Sequence, residues 1–152
     1  MTPDIPYGWQ PLNQPIRIKT QKSKRLNVFG LMNKENELHA YSIWGSANAP
    51  FIIGCMEDFR KRINEPSVVI FDNAPIHKTL EFQAKIEEWK EDDLYTFFLP
   101  TYSPHLNLIE TLWRKIKYEW LQPKDYENLQ TLEAAIDNIL TKFGREFTID
   151  FS

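Results

Sequence analysis

An α/β fold, a mixed sheet flanked by helices, is what three patterns in this sequence predict. The run Ser67-Val68-Val69-Ile70-Phe71-Asp72 is β-branched and aromatic, the character of a strand buried on both faces. On either side of it, over 46–62 and 78–89, apolar residues recur at three- and four-residue spacings, the period of amphipathic helices. Upstream, two apolar stretches flank the polar tetrapeptide Asn33-Lys34-Glu35-Asn36, which marks an antiparallel hairpin.

In chain order, 1–15 is an irregular lead-in, because Pro3, Pro6, Gly8, Pro11 and Pro15 fix turns and deny ladder hydrogen bonds. The hairpin follows, Leu26 to Met32 and Leu38 to Trp44. Ser46 to Arg62 is a helix with Phe51, Ile52, Cys55, Met56 and Phe59 on its stripe, stopped by Asn64-Glu65-Pro66. After the Asp72 strand, Lys78 to Trp89 repeats the helical period with Leu80, Ile86 and Trp89, and Leu94 to Leu99 is a strand closed by Pro100. This helix-strand alternation predicts parallel strands joined by right-handed crossovers, with the hairpin added to the same sheet. Ser103-Pro104 reads as a cap and first-turn proline, opening a helix from Leu106 to Leu121 with Ile109, Leu112, Trp113, Ile116 and Trp120 on one stripe and Trp113 in the core. Gln122-Pro123-Lys124-Asp125 ends it, and a last helix spans Leu129 to Phe143 with Gly144 as its stop.

At 152 residues, 42% of them hydrophobic, the chain is long and apolar enough for one domain with its own core. A single cysteine, Cys55, excludes an intrachain disulfide and a thiolate cluster; it reads as a packing residue in a reducing, cytoplasmic setting. The start, Met1 to Pro6, has neither a basic nor an apolar signal region, and no run approaches the roughly 18 apolar residues of a membrane span, so no membrane partner is expected. The net charge of -3 gives no global attraction to phosphates. Locally, however, Arg17, Lys19, Lys22, Lys24 and Arg25 form one acid-free cluster and Arg114, Lys115 and Lys117 another; each is either an ordinary solvated face or a surface for a DNA backbone.

Two acids carry the candidate chemistry. Asp72 closes a strand, where open α/β sheets bind ligands, and Glu110 stands near the start of a later helix, on one face with Asn107. Carboxylates so placed are the layout of divalent-metal sites for phosphodiester chemistry, and oxygen ligands suit Mg²⁺ or Mn²⁺. The plainer readings are an N-cap for Asp72 and a first-turn acid favoured by the helix dipole for Glu110. Asn73 and His77, in the loop after Asp72, and Asn107 are candidate accessory residues. His77 would contact substrate phosphate, orient a metal-bound water, or serve only as a structural hydrogen-bond partner. Without a second histidine at ligand spacing, zinc is not expected.

The strings Val69-Ile70-Phe71-Asp72-Asn73-Ala74-Pro75-Ile76-His77 and Leu99-Pro100-Thr101-Tyr102-Ser103-Pro104-His105-Leu106-Asn107-Leu108-Ile109-Glu110-Thr111-Leu112-Trp113 resemble the second and third acid motifs of DDE transposases of the mariner-like, bacterial insertion-sequence branch. Tyr7-Gly8-Trp9 and the hairpin resemble the segment upstream, so the likeness covers nearly the whole chain. The resemblance implies an RNase H-like fold and a reaction that cuts DNA at element ends and joins them to target DNA. It further implies two divalent ions held by three acids, with Asp72 as the second and Glu110 as the third. The first acid of that family lies on a central strand before the Gly-Trp segment, and here only eight residues precede Trp9. Asp4, between prolines, is a poor substitute. The expectation is therefore an N-terminally truncated or split-frame catalytic domain, inactive alone. Its central strand position would be closed by sliding, by Ile16-Arg17-Ile18-Lys19, or by an upstream fragment or second protomer. The competing expectation is a non-catalytic RNase H-like remnant that binds DNA or protein.

Overall fold

The computed structural model describes residues 25–152. The lead-in over 1–15, the Ile16 to Lys19 segment and the cations Arg17, Lys19, Lys22 and Lys24 lie outside the described residues. The hairpin forms as β1 (Leu26–Met32) and β2 (Leu38–Trp44), antiparallel in a register that pairs Leu26 with Trp44 and Met32 with Leu38. Its turn is held by the Asn33 side-chain oxygen, which accepts from the Glu35 and Glu37 amides at 3.1 and 2.9 Å, while Asn36 takes a positive φ of 63°.

The next helix, α1 (Ala49–Arg60), starts later than its apolar stripe suggests, because Asn48 caps it by accepting from the Phe51 amide. It leads to β3 (Ser67–Phe71), then to α2 (Leu80–Glu91), capped by Thr79, and to β4 (Leu94–Phe98), parallel to β3 as the alternation predicts. Two expectations are corrected here. The segment before α2 is a separate 3-10 turn, Pro75–Lys78, so Leu80 falls on the outer face at 90% exposure and Phe82 takes the core position. β3 is not buried on both faces: Val69 and Phe71 are, but Val68 and Ile70 are 62% and 52% exposed.

Beyond β4, a 3-10 turn (Pro104–Leu106) precedes α3 (Leu108–Lys115), which continues as a π-helical turn (Ile116–Trp120) rather than as one long helix. Pro104 opens the 3-10 turn, but the Ser103 side chain makes no capping bond. Trp113 is only half-buried, against the core rather than within it. A last helix, α4 (Leu129–Lys142), begins in a capping box of Asn128 and Thr131 and ends before Gly144, whose φ of +84° is the left-handed turn expected of a stop glycine.

The predicted α/β class stands, with helices flanking β structure, but the single mixed sheet is two two-stranded sheets among the described residues, β1-β2 and β3-β4. They nonetheless share one core. Phe29 and Leu31 of β1 pack into the same core as Val69 and Phe71 of β3, beneath Ile52 and Met56 of α1 and Phe82, Ile86 and Trp89 of α2. Strand alternation sends Val28 and Met32 to the other face, against the cluster built by Leu112, Ile116, Leu132 and Ile136 of the C-terminal half. Gly30 shares that second face: a Cβ there would stand 3.1 Å from Ile109 and 3.2 Å from Trp113, so β1 and α3 approach closely. No described helix is long and apolar enough to cross a membrane.

Candidate active site

Asp72 follows the last residue of β3, and its carboxylate is half exposed. Its Oδ1 accepts from the Ala74 amide at 3.2 Å, an Asx turn that bends the chain at once toward the 3-10 turn. The N-cap alternative fails, since Thr79 caps α2.

His77 returns to Asp72 from that 3-10 turn. Its Nδ1 lies 3.1 Å from the Asp72 carbonyl oxygen and 3.3 Å from the Asp72 carboxylate, an arrangement in which an Nδ1–H donates to the carbonyl. Phe71, Phe82 and Phe98 surround the imidazole with ring centroids 4.7, 5.1 and 6.0 Å away. Burial lowers its pKa, against the upward pull of the Asp72 carbonyl and carboxylate. The observed contacts are those of a structural partner that anchors the backbone carrying Asp72.

Asn73 points elsewhere, donating from Nδ2 to the Thr101 hydroxyl at 2.9 Å and so tying the loop after β3 to the loop after β4. Glu110 is exposed on the first turn of α3, its amide donating to the Asn107 carbonyl at 3.1 Å. Asp72, His77, Asn107 and Glu110 all line one cavity of about 1170 Å³, bounded on one side by β1 and on the other by β3. Two acids 38 positions apart in sequence thus line one space, Asp72 from the end of β3 and Glu110 from the first turn of α3. Asn73 is not in that lining.

A family profile describing DDE superfamily endonucleases matches residues 2–133, from the lead-in through α3 and into α4. The chain belongs to the DDE superfamily endonucleases. No curated protein and no solved structure gives a match. Membership supports an endonuclease-type domain of RNase H-like fold with DNA as substrate, for which divalent metals are the usual cofactor.

The donor set of this DDE endonuclease fits such a metal only in part. Asp72 and Glu110 place two carboxylates, hard oxygen donors, in the lining of one cavity, but the described residues contain no group of three or more acids, histidines or cysteines able to hold an ion. Of the proposed DNA-contacting cations that are described, Arg25 and Arg114 are exposed, and Arg114 lies one turn beyond Glu110. Lys115 is engaged with Glu119 at 2.7 Å, and Lys117 is half-buried.

Two residues that position the site were not singled out from sequence. Gly30 admits α3 against β1, and a lone glycine inside a strand pattern is a legible sign of close approach. Thr101, the partner of Asn73, carried no such sign.

Proposed function

We propose that this chain is the catalytic part of a transposase that cleaves DNA and transfers strands during movement of an insertion sequence. Asp72 and Glu110 are two of its three metal-holding carboxylates. The observation that supports this reading is the convergence of Asp72 and Glu110 on one cavity from the end of a parallel strand and the start of α3. The third carboxylate comes from outside the described residues, on an upstream segment or a second protomer, and the chain is inactive without it. When bound, Mg²⁺ or Mn²⁺ supplies charge stabilisation at the phosphate and acidifies the attacking oxygen. The chain's own residues do the rest. His77, neutral, fixes the Asp72 carbonyl and with it the angle of the carboxylate, while Arg25 and Arg114 provide positive charge for a phosphate backbone.

Calorimetric titration with Mn²⁺ tests the reading. The wild-type chain should bind, weakly, and Asp72→Ala and Glu110→Ala should each abolish the heat while leaving the fold intact. A folded wild-type protein that takes up no Mn²⁺ would instead support the non-catalytic reading, a DNA- or protein-binding RNase H-like domain.

A further inference from the structure

Among the described residues, Asn36, Asp93 and Tyr102 take a positive φ without being glycine, at 63°, 59° and 60°. For asparagine and aspartate this is ordinary, because a short polar side chain bonds to the local backbone there. For tyrosine it is strain, since the Cβ of a bulky residue crowds the following carbonyl. Such a conformation persists only where the surroundings impose it. Here they do. Asn73 holds the hydroxyl of the preceding Thr101 at 2.9 Å, and the chain beyond is locked by Leu106 N–H to the Ser103 carbonyl at 3.1 Å and Asn107 N–H to the Pro104 carbonyl at 3.0 Å. The Tyr102 side chain gains nothing from the fold in exchange: it is 95% exposed, its hydroxyl has no hydrogen bond and its ring no aromatic partner. A single exposed apolar residue is unremarked on a regular element, as with Leu80 on α2, but Tyr102 joins full exposure to an imposed, unfavourable backbone.

Its place in the chain supplies a use. Asn73 is the residue after Asp72, so the bond to Thr101 sets the loop bearing Tyr102 beside the Asp72 end of β3. The same loop enters the cavity lining at Leu106 and Asn107 and leads on to Glu110, while Tyr102 itself is outside the lining. The ring thus stands next to the two acids and not between them. We infer that Tyr102 is a stacking platform for an unpaired base of the DNA strand whose phosphate lies at Asp72 and Glu110. A phenol ring open on both faces can stack on any base, and it loses only two side-chain torsions in doing so. Stacking also needs no positive charge, which suits a chain whose net charge of -3 gives phosphates no global attraction. The choice of DNA as the ligand rests on the reading above; the ring, its exposure and its backbone do not.

The probe is a single-stranded oligothymidylate carrying one fluorescent purine analogue whose emission falls when it stacks, titrated with the full chain in the absence of metal. The wild-type protein should quench the emission, and Tyr102→Phe, which keeps the ring, should match it. Tyr102→Gly should bind about tenfold more weakly and quench little. The slope of affinity against salt should be the same in all three proteins, because no charge has changed. Glycine adopts the positive φ without strain, so Tyr102→Gly should melt no lower than the wild type. Equal binding and quenching in Tyr102→Gly would overturn the proposal, as would a wild-type chain that does not quench. Weaker binding accompanied by a lower Tm would also overturn it, since the ring would then be holding the loop. Mn²⁺ titration of the same proteins separates this inference from the one beneath it. Quenching through Tyr102 in a chain that takes up no Mn²⁺ would leave the platform standing and remove the catalytic reading; Mn²⁺ uptake with Tyr102→Gly indistinguishable from wild type on DNA would do the reverse.

Discussion

Enclosure by Phe71, Phe82 and Phe98 disfavours the charged imidazole of His77, so its folded-state pKa lies below the 6.5 of an exposed histidine. Below that ordinary value the unfolded chain binds the proton first, so the contribution of His77 to stability is complete above pH 6.5 and lost as pH falls toward the folded value. His77→Phe, which suits a pocket of phenyl rings, should therefore flatten the decline in Tm between about pH 7.5 and about pH 5.5. An unchanged decline would mean that His77 does not titrate differently on folding. Cys55 is held off by the same physics in the opposite direction, its thiol pushed up to about 11 by burial, so alkylation at neutral pH should follow global unfolding and be negligible in the native protein. At this scale the letters marked Asp72 and Glu110 as candidates and disclosed the packing role of Cys55, which is buried. They could not disclose that His77 is enclosed, because its three aromatic neighbours come from β3, α2 and β4 and meet only in the fold.

Between elements, the contact that sets the site is β1 against α3. Gly30 leaves no room for a methyl group beside Ile109 and Trp113, and Glu110 stands next to Ile109 on the same first turn. Gly30→Ala should cost about 1–3 kcal/mol as overpacking, measured by urea unfolding, and should also weaken Mn²⁺ binding by tilting Glu110 away from Asp72. Gly54 is the internal control: it lies inside α1 with nothing within 4 Å of the place a Cβ would take, and Gly54→Ala should stabilise by up to about 1 kcal/mol without touching the metal. If both variants behaved alike, the close approach at Gly30 would not be what positions α3. The apolar periods revealed each helix but misplaced the starts of α2 and α3. There the local turns decide: Thr79 caps α2, so the helix cannot start at Lys78, and the chain from Pro104 turns once as a 3-10 segment before α3 can begin.

Across the whole molecule, strand identities and the parallel pairing of β3 with β4 followed from pattern, whereas the division into two sheets did not. Composition marked β3 as buried on both faces, since a run of Val, Ile and Phe reports what the strand prefers and not what covers it. The structure leaves one face of the pair open, with Val68 beside Tyr95 and Ile70 beside Phe97, and leaves the β1 and β3 edges apart. Sheets divided in this way lose cooperativity, because among the described residues they are joined on the Phe29 and Val69 side by side-chain packing beneath α1 and α2 and not by a hydrogen-bonded ladder. The β1-β2 and β3-β4 parts should therefore separate on heating, read by calorimetry as a van't Hoff enthalpy smaller than the calorimetric one. Equal enthalpies in a single transition would show that the shared core of Phe29, Leu31, Val69 and Phe71 couples the two sheets without a ladder between them.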